Sequence, residues 1–172
     1  MIITFIQRAI MQSIPLLFGS TGETITEKGG NLNLGIPGIM YVGGICGVIG
    51  AFFYEQSTPA ASMNGLLAVG IPMLCSLLGS LLMGLLYCLL TVTLRANQNV
   101  TGLALTTFGK GVANFFGVFI LDGASYSAAP VANKAFAAKI PVLSGLGTVG
   151  QVIFSYGFLV YAAIVLAVAM HW

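Results

Sequence analysis

Apolar stretches of about 20 residues or more alternate along the chain with shorter polar breaks, and the two-residue alternation of a half-buried strand is absent. A helix crossing a membrane needs about 20 mainly apolar residues. Five stretches reach that length: residues 2–21, 35–54, 63–94, 100–121 and 146–170. The third exceeds one span, as expected of a tilted helix or of one that ends in an extramembrane turn. A membrane barrel would instead show strands of about ten residues with alternating polarity. The pattern therefore predicts an all-α, polytopic transmembrane helix bundle of about five apolar segments, with residues 1–172 forming a single transmembrane domain.

The breaks differ in kind. Residues 55–62 and 95–99 read as short turns. Residues 122–145 hold Pro130, Lys134, Lys139 and Pro141 among small residues and read as an exposed loop with room for a short amphipathic piece. The break at 22–34 stands apart, because Glu23, Glu27, Lys28, Gly29, Gly30, Asn31 and Asn33 make a polar, glycine-rich hinge between the first two apolar segments. Backbone can leave the helix at membrane depth only where protein or a water-filled cavity satisfies its polar groups, and such breaks often border a transport route. The hinge over 23–33 is accordingly expected at a membrane boundary and buried in protein, against the plainer reading of a solvated loop.

Small residues recur every four positions, where helix backbones can approach closely in lipid. Gly43, Gly47 and Ala51 form one such stripe, Ser76, Ser80, Gly84 and Cys88 a second, and Gly109, Ala113 and Gly117 a third. The segment 55–62 lacks Lys and Arg while Arg95 follows the third stretch, which places 55–62 and 122–145 outside and 23–33 and 95–99 inside. Lys134 and Lys139 run against that orientation.

Composition supports the membrane reading. Hydrophobic residues make up 58% of the 172 positions and charged residues only 6%, too few to coat a water-soluble surface. The formal charge of +2 is spread thinly, so nucleic acid is not expected as a partner. Cys46, Cys75 and Cys88 lie inside apolar runs and read as packing residues rather than as a disulfide framework or metal site. His171 beside Trp172 reads as a helix end at the lipid interface. No catalytic residue, cofactor or metal site is indicated. Glu23 and Glu27 are a nearby pair of acids without a His, and their expected roles are pairing with Lys28 and helix capping. The triplet of Gly109, Lys110 and Gly111 lacks the spacing and the hydroxyl of a phosphate loop. The amides of Asn97, Gln98, Asn99 and Asn114 are candidates for lining a substrate path, since amides bond neutral sugar or base edges without carrying charge. Helix-to-helix bonding is the competing role for Asn114.

Residues 22–40 read GETITEKGGNLNLGIPGIM, and residues 94–105 read LRANQNVTGLAL. The first resembles the pattern G-E-x-x-x-E-(R/K)-x-G-x-x-N-(L/I)-G-x-x-G-x-M, and the second L-R-A-N-Q-x-(V/I)-(S/T)-G-x-A-L. Both belong to the permeases of bacterial ATP-binding-cassette importers for nucleosides, relatives of ribose and branched-chain amino acid permeases. The resemblance carries Gly22, Glu23, Glu27, Lys28, Gly30, Asn33, Gly35 and Gly38 as hinge residues. It implies alternating-access transport in a bacterial plasma membrane, with ATPase subunits, a second permease subunit and a substrate-binding lipoprotein as partners. It also implies that the chain corresponds to the N-terminal half of such a permease. Pro37 stands where the family usually has Glu, and Lys28 where Arg is common, which keeps the charge but loses the planar fork. The alternative from another class is a small substrate-binding membrane subunit of a vitamin importer, which fits the length but not the two motifs.

Overall fold

The computed structural model describes residues 2–59, 62–121, 129–138 and 156–171. Its helices are α1 (Ile2–Lys28), α2 (Ile36–Ser57), α3 (Gly65–Cys88), α4 (Gln98–Leu121), α5 (Pro130–Phe136) and α6 (Phe158–His171), and a π-helical turn over Leu89–Thr93 extends α3. Among the described residues, three helical stretches are long and apolar enough to cross a membrane: Ile36–Ser57, Gly65–Thr93 and Gln98–Ile120. A shorter apolar helix covers Phe158–Met170.

The count of five apolar segments is thus refined at both ends of the chain. α1 has 27 residues, but Arg8 near its start and Glu23, Glu27 and Lys28 near its end dilute its apolar character. Of the fifth stretch, residues 146–155 lie outside the described residues, as do Lys139, Trp172 and the His171 side chain.

Local chemistry sets the helix boundaries. Pro37 sits in the first turn of α2, where the missing N–H would have had no helical partner. The Asn64 side chain caps α3 by accepting from the Leu66 N–H at 3.1 Å. The 29 residues of Gly65–Thr93 exceed one span, since at 1.5 Å per residue they run well past a hydrocarbon core of about 30 Å. The long third stretch is therefore one continuous helix, closed by a π turn and by Arg95 in the left-handed region at φ 52°.

The chain divides into two compact units, Thr26–Ala135 and Met1–Ile25 with Phe136–Trp172. In the second, Ile14 packs with Tyr156, Val160 and Ala163, and the rings of Phe136 and Phe158 stack at 6.1 Å. In the first, α2 is central and packs on α3 and α4 around Val42, Met83, Tyr87 and Leu105.

Small residues bring these helices together. A methyl group at Gly47 would lie 3.3 Å from both the Pro72 carbonyl oxygen and Ser76 Cβ, and one at Gly43 would collide with Ser80 Oγ. The cysteines continue the seam, with Cys75 Sγ 2.7 Å from where a Gly50 Cβ would stand and Cys46 Sγ 2.6 Å from a Gly79 Cβ. All three cysteines are free thiols, and Cys88 is exposed. Of the expected stripes, the first holds through Gly43, Gly47 and buried Ala51, and Gly109 of the third is pressed onto Gly38. Gly84 faces open space, and Gly117 makes only an ordinary contact with Ile45 at 3.9 Å.

Hydrogen bonds fix the two ends of this unit. At one end, the Leu32 N–H donates to Gln98 Oε1 at 3.1 Å; at the other, the Ala132 N–H donates to Glu55 Oε1 at 2.7 Å. Within this unit, Leu32 and Gln98 therefore lie together at one end, and Glu55 and Ala132 at the other.

Candidate functional site

The hinge is shorter than its polar composition suggests. α1 continues through Glu23, Glu27 and Lys28, because Glu and Lys are good helix formers and their polarity does not end a helix. It stops at Gly30, whose φ of 79° suits glycine. There the Gly30 N–H donates to the Glu27 carbonyl at 2.8 Å and the Asn31 N–H to the Thr26 carbonyl at 3.0 Å, the paired bonds of a Schellman cap. The expected burial of 23–33 holds at Asn33, which is 5% exposed, whereas Glu27, Lys28, Gly29 and Gly30 are exposed.

Beyond Gly30 the chain must leave the helix with its amides and carbonyls unpaired, and neighbouring side chains take them up. Tyr87 Oη donates to the Leu32 carbonyl at 2.7 Å, and Thr106 Oγ1 donates to the Leu34 carbonyl at 2.8 Å. The Leu32 N–H reaches Gln98, and the Gly35 N–H reaches Asn33 Oδ1 at 2.9 Å. The non-helical backbone is thus clamped by α3 and α4, which is how such backbone is tolerated at membrane depth. Asn31 Oδ1 is buried without a hydrogen-bond partner.

The two sequence motifs meet here. A methyl group at Gly102 would stand 2.9 Å from both the Gly35 nitrogen and Leu34 Cβ, and one at Gly38 would stand 2.7 Å from Thr106 Cα. Gly102 meets the hinge backbone at Leu34 and Gly35, and Gly38 of α2 meets the α4 backbone at Leu105, Thr106 and Gly109. Hydropathy alone gives no sign of this pairing, and the recurrence of glycine in both motifs is the signal that points to it.

The four amides separate into two sets. Asn97 caps α4, its Oδ1 accepting from the Asn99 and Val100 N–H groups at 3.0 and 3.3 Å, and Gln98 holds Leu32. The structure thus commits Asn97 and Gln98 to backbone. Asn99 and Asn114 are exposed, and Asn114 shares its helix face with Thr107, Lys110 and Gly111, all exposed. Lys110 escaped the sequence reading because its charge is averaged away in an apolar run. Among the described residues, no group of three or more His, Cys, Asp or Glu could hold a metal ion.

Comparison with known proteins agrees with the motifs. The chain is 26% identical over 161 residues to a guanosine ABC transporter permease of Bacillus subtilis, covering 94% of this chain and 47% of that protein. It is 29% identical over 163 residues to a nucleoside ABC transporter permease of Lactococcus lactis, covering 92% and 48%. The chain is a distant homologue of these permeases. A putative glucose ABC transporter permease of Haloferax volcanii is 32% identical over 102 residues, covering 59% of this chain and 27% of that protein. The chain spans about half the length of the Bacillus and Lactococcus permeases, at 47% and 48%. No protein-family model and no solved structure matches it. As a relative of ABC permeases with three helices, among the described residues, long and apolar enough to cross a membrane, it is a multi-pass membrane protein.

Proposed function

We propose that the chain forms the N-terminal part of the permease component of an ATP-binding-cassette importer, that its cargo is a nucleoside, and that it works by alternating access rather than by chemistry. The observation that carries this reading is the packing of the hinge motif on the start of α4, where Tyr87, Gln98 and Thr106 hold the unwound backbone over Leu32 and Leu34. A clamped break between helices is a joint about which one part of a transporter can rock against another. The nucleoside assignment draws on the names of the Bacillus and Lactococcus permeases. In this reading, residues 1–172 are one transmembrane domain, the N-terminal part of a permease. ATP hydrolysis belongs to separate ATPase subunits, and a second permease subunit and a substrate-binding lipoprotein complete the importer.

A chimera tests the cargo. The matching half of the Bacillus guanosine permease is replaced by these 172 residues in a strain lacking the native permease, and uptake of labelled guanosine is measured. Uptake competed by nucleosides and not by glucose is the expected result. A chimera that reaches the membrane at the normal level yet takes up glucose, or nothing, would show that the cargo is not a nucleoside.

A further inference from the structure

Lys110 is a charge in the middle of a membrane span. α4 runs over Gln98–Leu121, and at 1.5 Å per residue Lys110 lies about 15 Å from Val100 and about 17 Å from Leu121. Both distances match half of a hydrocarbon core of about 30 Å, so a four-carbon stem reaches neither interface. An ammonium facing lipid there is costly, and ionisable groups at this depth face water or protein.

The faces of α4 show which side is concerned. Gly102, Leu105 and Gly109 are pressed onto the hinge and α2. Phe108, Phe115 and Phe119 are exposed and form an aromatic face suited to lipid. Thr107, Lys110, Gly111 and Asn114, at i, i+3, i+4 and i+7, form the third face. All four are exposed, and nothing lies within 4 Å of where a Gly111 Cβ would stand. This polar stretch is flanked on the same face by exposed Val100, Leu103 and Val118, which confines it to mid-depth. Among the described residues of the unit Thr26–Ala135, the acids do not share that depth: Glu27 lies in the last turn of α1 and Glu55 in the last turn of α2.

We infer that Thr107, Lys110 and Asn114 line a water-filled cavity at the membrane midplane, and that Lys110 donates hydrogen bonds to the acceptor edge of a 6-oxopurine nucleoside. The cavity follows from the placement of the charge, while the ligand rests on the nucleoside reading above. An ammonium has three donors and no acceptor, whereas the Asn114 amide offers both, and the Thr107 hydroxyl, which donates to the Leu103 carbonyl at 3.1 Å, keeps its acceptor capacity. The adjacent carbonyl and ring nitrogen of a 6-oxopurine accept from such a group, the pairing through which Lys reads guanine. Adenosine presents an amino donor at the carbonyl's place and is disfavoured.

Cysteine labelling tests the cavity in the assembled importer. In a background with Cys46, Cys75 and Cys88 replaced by Ala, single cysteines are placed at Thr107, Asn114, Phe108 or Phe119. A membrane-impermeant thiol reagent is then applied from both sides. Positions 107 and 114 are expected to label and 108 and 119 to stay protected, with guanosine slowing the reaction at 114. Protection of both 107 and 114 in protein inserted at the normal level would overturn the cavity and show that this face is packed against protein. Labelling slowed by glucose but by no nucleoside would keep the cavity and overturn its ligand. Lys110→Met separates the last step: KM for guanosine should rise at least about fivefold, as for the loss of a specific base contact, with adenosine little changed. An equal rise for both nucleosides would show that Lys110 does not read the base.

Discussion

At the residue scale, the hinge depends on a few hydroxyl and amide groups that serve backbone rather than substrate. Tyr87 is 4% exposed and donates to the Leu32 carbonyl. Tyr87→Phe keeps the ring and removes the donor, leaving that carbonyl unpaired in a part-buried setting, a loss of about 1 kcal/mol. Thermal unfolding in detergent should show a clear drop for Tyr87→Phe and a smaller one for Tyr54→Phe, whose hydroxyl meets the Asn64 backbone at an exposed helix end. Equal drops would mean that the hinge bond is no stronger than a surface one. The chemistry of this region was legible in part: the motif residues Asn33, Gly35 and Gly38 are the ones the structure buries. The roles of Asn97 and Gln98 were not, because an amide beside a helix start can cap it, hold a distant loop or face a cavity, and sequence spacing is the same in each case. Lys110 was legible in principle, as the one charge within the stretch 100–121.

At the element scale, hydropathy located α2, α3 and α4 to within a few residues, since a membrane helix must satisfy its own backbone over about 20 positions. It misplaced the end of α1, because charge marks where a helix leaves lipid and not where its hydrogen bonding stops. Packing partners were less visible. Four-residue spacing of small residues permits close approach but does not name the facing helix, which is why Gly43 and Gly47 are in contact while Gly84 is not. Gly43→Leu and Gly38→Leu should therefore abolish folded yield in membranes, the first by meeting Ser80 and the second by meeting the Leu105 and Thr106 backbone. Gly84→Leu should be tolerated, its new side chain entering open space. Fluorescence-detected size exclusion of the three variants decides the matter, and a normal monodisperse peak for Gly38→Leu would contradict the packing of α2 on α4.

At the scale of the whole molecule, the question is what these 172 residues can do by themselves. The sequence of Gly109, Lys110 and Gly111 cannot cradle a triphosphate, since a phosphate loop needs G-x-x-x-x-G-K-(S/T) and its hydroxyl for magnesium. Expressed alone, the chain should show no ATP hydrolysis above an empty-membrane control. Uphill uptake is a separate matter of linkage: ATP can drive an access change only by binding one conformation more tightly than the other, and that difference must pass through physical contact between ATPase and permease. The relatives matched along most of this chain are about twice as long, with 47% and 48% of their lengths covered. The 172 residues thus span about half the length of those permeases. Proteoliposomes holding the chain, with and without ATPase subunits, should not accumulate labelled guanosine above its outside concentration. The same vesicles with a complete permease should. ATP-dependent accumulation by the 172-residue chain with ATPase alone would show that the hinge, α2, α3 and α4 already contain both the coupling surface and the two access states.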